Sequence, residues 1–307
     1  LQSLWQYTTK GGDETVKEQI KTVVFFYRMH RVMFILLFAA ILMIILARGV
    51  PEISHAVLGL VLFTLALFSV VAVNNIRDVL ADKISKKGRM EVLNPLATGK
   101  FTARQAWLAT VIPLVLGILI AGLWTNWEVF LLFVGFCVFS SLYNVWGKKF
   151  VAGPFISPAC LAIFFFLIAV LMGKEDDPAF LYVVFIFYIF MVAGQIGTDI
   201  LDYEGDKAAG YRRPTVIFGP HKAVYIPVFM SAVIPLVLVA AYVHLHLSWL
   251  SLFVTAFVFV LVLPVSKSFK QHAVKRTLLS SKKALGTLTV QYLAAMASLM
   301  VGLGIWC

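Results

Sequence analysis

Two acidic stretches interrupt an otherwise oily chain: residues 71–83 read VAVNNIRDVLADK and residues 199–210 read DILDYEGDKAAG. Asn74, Asp78 and Asp82 recur at intervals of four, and Asp199, Asp202 and Asp206 at intervals of three and four. On a helix each set therefore falls on one face. Like charges stacked in this way repel, and at the membrane-facing end of a helix they are also expensive to desolvate. A positive partner is needed. Hard oxygen donors without nearby Cys or His favour Mg2+, which keeps several waters and is shared between a few carboxylates and substrate phosphates. The plainer alternative is a solvated helix end whose acids pair with Lys83, Lys207 or Arg212. Two such clusters in matching places weigh against it.

The elements that must position these acids follow from composition. Hydrophobic residues make up 61% of the 307 and charged residues 13%, with a mean hydropathy of +0.92. A soluble domain carries about a quarter charged residues, so this is an integral membrane protein. Its apolar runs approach the length of about 20 residues that a spanning helix needs, which points to helices rather than barrel strands. The expected fold class is an all-α membrane protein with nine transmembrane helices, near 32–48, 54–73, 104–123, 127–146, 153–172, 179–197, 222–243, 247–265 and 284–304. The two acidic sets then follow spans two and six. Residues 1–21 are polar and are expected to form a cytoplasmic segment rather than a secretory signal peptide. Cys137, Cys160 and Cys307 have no metal-ligand spacing and read as packing residues without a disulfide.

The net charge of +11 raises the question of nucleic acid, and the distribution of basic residues answers it. The N-terminal segment and the loops after spans two, four, six and eight hold 24 Lys and Arg, whereas the other side holds Arg48 and Lys174. That asymmetry is the positive-inside pattern. It places the N-terminus and both acidic sets on the cytoplasmic side and the C-terminus on the opposite side. No nucleic-acid partner is needed, and part of the charge lies against anionic membrane lipids.

NNIRDVLAD (74–82) followed by NPLATG (94–99), together with DILDYEGDKAAG (199–210), resembles the paired aspartate motifs of the UbiA superfamily of intramembrane prenyltransferases over nearly the whole chain. The resemblance implies a single domain over 1–307, with helices bundled around a central cavity. It also implies that the two motifs bridge Mg2+ ions that hold a polyprenyl diphosphate, and that a hydrophobic acceptor, aromatic or lipid-type, receives the prenyl group. Asp78, Asp82, Asp202 and Asp206 become the expected catalytic residues, and with Asn74 and Asp199 the expected metal ligands. Arg28 in YRMHR and Lys148 or Lys149 in YNVWGKK occupy regions where the family carries basic residues. Lys and Arg grip diphosphate by charge-assisted hydrogen bonds. Arg77, next to Asp78, reads equally as a salt-bridge partner or a diphosphate contact.

Two departures from the family pattern bear on the site. The first motif usually reads N-D-x-x-D-x-x-x-D, and here Asn75 stands at the second position. That residue sits about 100° round the helix from Asn74, off the acidic face. Many members also have an arginine before the proline of the following loop, where this chain has Asn94 before Pro95; Arg89 or Lys100 is then the candidate replacement.

Metal-held carboxylates stabilise charge growing on a departing diphosphate, and the allylic cation left behind must be kept from water. An intramembrane terpene cyclase would use the same ionisation and let the cation attack its own double bonds. A cation transporter with acidic gates would instead place ionisable residues near the bilayer midplane. Aromatic rows such as FVGFCVFSSLY and FIFYIF read either as walls for a prenyl chain or as helix packing.

Overall fold

A computed structural model describes residues 12–85 and 94–305, and among these the chain is helical without strands. In chain order the helices are α1 (Gly12–Phe26), α2 (Met29–Ala47), α3 (Ile53–Ser85), α4 (Ala103–Trp124), α5 (Trp127–Trp146), α6 (Gly153–Leu171) and α7 (Pro178–Leu201). They continue with α8 (Tyr203–Ala208), α9 (Pro214–Phe218), α10 (Pro220–Ala223), α11 (Tyr225–His244), α12 (Leu250–Lys275) and α13 (Leu278–Gly302). A single 3-10 turn, Gly147–Lys149, separates α5 from α6.

Eight of the described helices are long and apolar enough to cross a membrane, and the ninth candidate is a pair, Glu18–Phe26 and Arg31–Ala47, that meets at 57°. The expected first span at 32–48 is thus the second arm of a bent element. The bend falls at Arg28, whose φ of 49° lies in the left-handed region. That conformation is uncommon for a residue with a side chain.

Local chemistry fixes several helix starts. Thr102 with Gln105, and Thr277 with Ser280, form reciprocal capping boxes, Asn126 caps α5 through the Val129 amide at 2.9 Å, and Asp177 caps α7 with Pro178 at the first helical position. Helix length differs from the expected spans at the motif end of the bundle. α3 runs on to Ser85, α7 to Leu201 and α12 to Lys275, while α13 begins at Leu278. The apolar runs measured the part that lipid must cover, and the polar ends extend the same helices beyond it.

The helices close into two groups. α3, α4, α5 and α6 pack together on one side; α7, α11, α12 and α13 pack together on the other; and α6 joins α7. α2 sits between them, touching α3, α6, α7 and α13. Aromatic rings fill the centre. Phe63 stacks on Phe164 at 4.3 Å, and Phe38 meets Phe187, Phe190 and Tyr292 edge-on. Gly197 lets α7 approach α12 closely, since a Cβ there would stand 2.9 Å from the Phe269 ring. At the opposite end from the acidic motifs, Arg48 grips both oxygens of Asp177 at 3.1 and 3.0 Å, so Asp177 both caps α7 and ties it to the end of α2.

Candidate active site

α3 carries the first acidic set without a break. Asn74, Asp78 and Asp82 lie on one helical face, as the spacing required, and all three line a cavity of about 270 Å³ between the two helix groups. The second set is built differently. α7 ends at Leu201, Asp202 forms the joint, and α8 starts at Tyr203. The expectation of one continuous helix under Asp199, Asp202 and Asp206 is therefore corrected, although Arg213 Nη1 still reaches both Asp199 and Asp206. Hydrogen bonds from the Asp202 amide to Thr198 O (3.1 Å) and from the Asp206 amide to Asp202 O (2.9 Å) carry the chain across the joint. Asp202 and Asp206 line the same cavity as the first set, whereas Asp199 is wholly buried and is not among the lining residues.

The loop after α8 folds back over the site for a local reason. Gly210 takes a φ of 71°, the Gly210 amide bonds to Lys207 O (3.2 Å) and the Tyr211 amide to Asp206 O (2.9 Å). This is the paired C-terminal cap that a left-handed glycine permits. It returns Tyr211 to the first motif, where its hydroxyl donates to Asp78 at 3.4 Å. Burial, and then the Asp78 charge, push the Tyr211 phenol up to about 12. Two residues on, Arg213 is held extended by the following Pro214 (φ −79°, ψ 159°). Its Nη1 donates to Asp199 and lies 3.3 Å from Asp206. Burial draws the Arg213 guanidinium down, but Asp199 and Asp206 more than offset it and hold it above the ordinary arginine value. Gln195 donates to the same Asp199 oxygen at 2.9 Å.

The expected basic contacts separate. Arg28 lines the cavity, 3.8 Å from Asp82. Arg77 and Lys149 are exposed and are not among the cavity-lining residues. Arg89 lies outside the described residues, as does the side chain of Lys148. Lys100 is exposed, 3.9 Å from Glu18. Asn94 is buried at the cavity, donating to Asn75 O at 2.6 Å and accepting from the Leu96 amide at 3.1 Å. Asn75 in turn donates to Phe26 O. The two asparagines that depart from the family pattern thus lace α1, α3 and the loop after α3 together.

Sequence reasoning missed Arg31, Tyr211 and Arg213, all of which line the cavity. Arg31 offered one signal, its place three residues after Arg28. Away from the acids the walls are apolar, with Val32, Ile35, Leu67, Phe136, Leu161 and Met191. Of the aromatic rows, Phe136 and Tyr143 face the cavity, while Phe133, Phe187 and Phe190 belong to the core.

The donor set suits magnesium. Among the described residues no three His, Cys, Asp or Glu side chains are grouped to hold an ion by themselves. Carboxylates instead face one cavity from two sides, and magnesium commonly takes one or two carboxylates and completes its shell with water and phosphate oxygens. With cations beside the acids and an oily wall behind them, the cavity can take a ligand with a charged phosphate head and an apolar tail.

Comparison with known proteins gives the same fold and a family. Residues 33–280 match the UbiA prenyltransferase family. A digeranylgeranylglyceryl phosphate synthase of Pyrococcus horikoshii is 28% identical over 183 residues, which cover 57% of this chain and 61% of the relative. The match spans less than two thirds of that relative's length. A solved UbiA homologue from Archaeoglobus fulgidus, bound to DMAPP and Mg2+, superposes with a TM-score of 0.67 at 22% identity, covering 92% of this chain and 99% of the other. An apo UbiA homologue from Aeropyrum pernix gives 0.69 at 18% identity, covering 87% and 98%.

Proposed function

The chain belongs to the UbiA prenyltransferase family, and from that premise we propose that it is a Mg2+-dependent intramembrane enzyme that ionises a polyprenyl diphosphate and transfers the prenyl group to an aromatic or lipid-type acceptor. The observation that carries this reading is the convergence of Asp78, Asp82, Asp202 and Asp206, from two helix ends far apart in sequence, on one cavity with an apolar wall. The DMAPP and Mg2+ held by the Archaeoglobus homologue support it. Asn74, Asp78 and Asp82 on one side and Asp202 and Asp206 on the other are the residues that would hold the metal. Bound magnesium would neutralise the diphosphate and stabilise the charge that grows on it.

The chain's own residues do the rest. Arg28 and Arg31 add cationic donors at the same mouth, favouring the diphosphate form that develops as the allylic C–O bond breaks and its electron pair passes to the leaving oxygen. Val32, Ile35, Leu67 and Leu161 surround the tail and exclude water from the cation. Phe136 adds an aromatic ring to the same wall, a group that can attract a cation. An acceptor oxygen or carbon supplies the electron pair for the new bond and loses its proton.

Purified protein incubated with Mg2+, labelled prenyl diphosphates of several lengths and a membrane lipid extract should release diphosphate and form a prenylated product by mass spectrometry. A glycerol-phosphate lipid is the first acceptor to supply, on the name of the Pyrococcus relative. Cyclic hydrocarbon formed without any acceptor would replace this reading with a cyclase, and metal uptake into liposomes without diphosphate release would replace it with a transporter.

The same reading puts both motifs on the cytoplasmic side, supported by the split of 24 to 2 basic residues. Membrane-impermeant thiol labelling of intact cells should reach Lys174→Cys and His244→Cys but not Lys207→Cys. External labelling at position 207 would reverse the orientation.

A further inference from the structure

Arg213 is buried to 8% exposure and lines the cavity, yet only one of its nitrogens is engaged. Nη1 faces Asp199 and Asp206, and the guanidinium carbon lies 5.5 Å from the Tyr211 ring centre. Arginine has five N–H donors in a rigid fork. Those on Nε and Nη2 have no hydrogen-bond partner among the described residues and are not among its buried unpaired atoms, which leaves them available on a residue that lines the cavity. The other side of the fork is braced. Asp199 is fully buried, accepts from Gln195 and Arg213 through one oxygen, and keeps its second oxygen without a partner.

A buried carboxylate whose geometry is devoted to an arginine, beside two acids that face the ligand space, is the construction that fixes a cation in one orientation. The fork matches phosphate oxygens bidentately. We propose that Arg213 is a diphosphate-binding residue, seated on Asp199 as its counter-ion, and that Asp199 is a positioning residue rather than a metal ligand. The inference rests on the proposed prenyl-diphosphate chemistry of the same cavity. It gives the second motif a division of labour, with Asp202 and Asp206 on the metal side and Asp199 behind the arginine.

The test is binding of geranyl thiodiphosphate, which does not ionise readily, to detergent-purified protein at fixed Mg2+, read by calorimetry beside the melting temperature. Arg213→Gln alone would strand the buried Asp199 charge, so the deciding variant is Asp199→Asn with Arg213→Gln, which keeps the pair neutral and hydrogen-bonded. It should melt close to the unaltered protein and bind the thiodiphosphate about 10- to 100-fold more weakly, as losing hydrogen bonds to a charged group requires. Unchanged affinity in that variant would overturn the assignment and reduce Arg213 to a structural counter-ion. Arg213→Lys keeps the charge opposite Asp199 but loses the fork, and decides the matter if the double variant does not fold: several-fold weaker binding supports the proposal, and unaltered affinity overturns it. Absence of binding by the unaltered protein would instead overturn the proposed function itself, and the Arg213 assignment with it.

Discussion

Along α3 the acids ride one unbroken helix, so Asn74, Asp78 and Asp82 all reach the cavity; in the second motif the helix stops at Leu201 and restarts at Tyr203, and the three acids take three different situations. Asp199 remains on the straight part and points into protein. Asp202 occupies the joint, and Asp206 is carried on a short helix that the Gly210 turn closes. Similar spacing in sequence thus produces a row that lines the cavity throughout in one place and a row split between cavity wall and protein interior in the other. Charge spacing reports what a helix would do, and only the backbone's course decides whether a helix continues.

The contrast breaks most easily at the acids assigned to metal. Asp82→Ala and Asp202→Ala should each lower turnover by about 10²–10³-fold, the scale for removing one group that stabilises developing charge, while leaving a detergent-stable protein. Near-normal turnover in both would end the two-sided site. Asp199→Ala should fail in another way. It removes the nearer of the two carboxylates that face a buried arginine, and breaking a buried pair typically costs about 3–5 kcal/mol, so thermal unfolding should show a large loss of stability. Asp199→Asn should be milder. A stable Asp199→Ala protein would erase the distinction between scaffold and ligand. Tyr211→Phe removes the hydrogen bond that the loop after α8 donates to Asp78, and about 1 kcal/mol for such a bond predicts a drop in turnover of about fivefold. Arg48→Ala, at the far end of the bundle, should cost about 1 kcal/mol or less as a partly exposed pair, with turnover unchanged.

The membrane helices were legible because lipid imposes a length, and nothing inside a span of about 20 apolar residues competes with that signal. Their ends were not, since the acidic segment 74–85 is itself helix-compatible and simply extends α3. The acids were legible from spacing up to the joint at Asp202, where one helix ends and a short second one begins; the Gly210 turn and the pairing of Arg213 with Asp199 come after that second helix. Arg213 was hidden among 24 basic residues on one side of the chain, because topology gives a reason for every one of them. What distinguishes it is burial, which depends on contacts between α7, the loop after α8 and α3. The Asn75 substitution was legible as a lost charge, but its bond to Phe26 and its carbonyl's bond to Asn94 are tertiary.

The unbroken course of α3 also sets a depth. At about 1.5 Å per residue, Asp78 lies about 38 Å along the axis from Ile53, more than the roughly 30 Å of hydrocarbon and less than the 40–45 Å that includes headgroups. The leaving group would therefore be born at the boundary between two phases. Inorganic diphosphate can drain into water while the lengthened lipid diffuses away sideways in oil, so the two products part without sharing an exit, and their re-encounter at the site requires each to return from a different solvent.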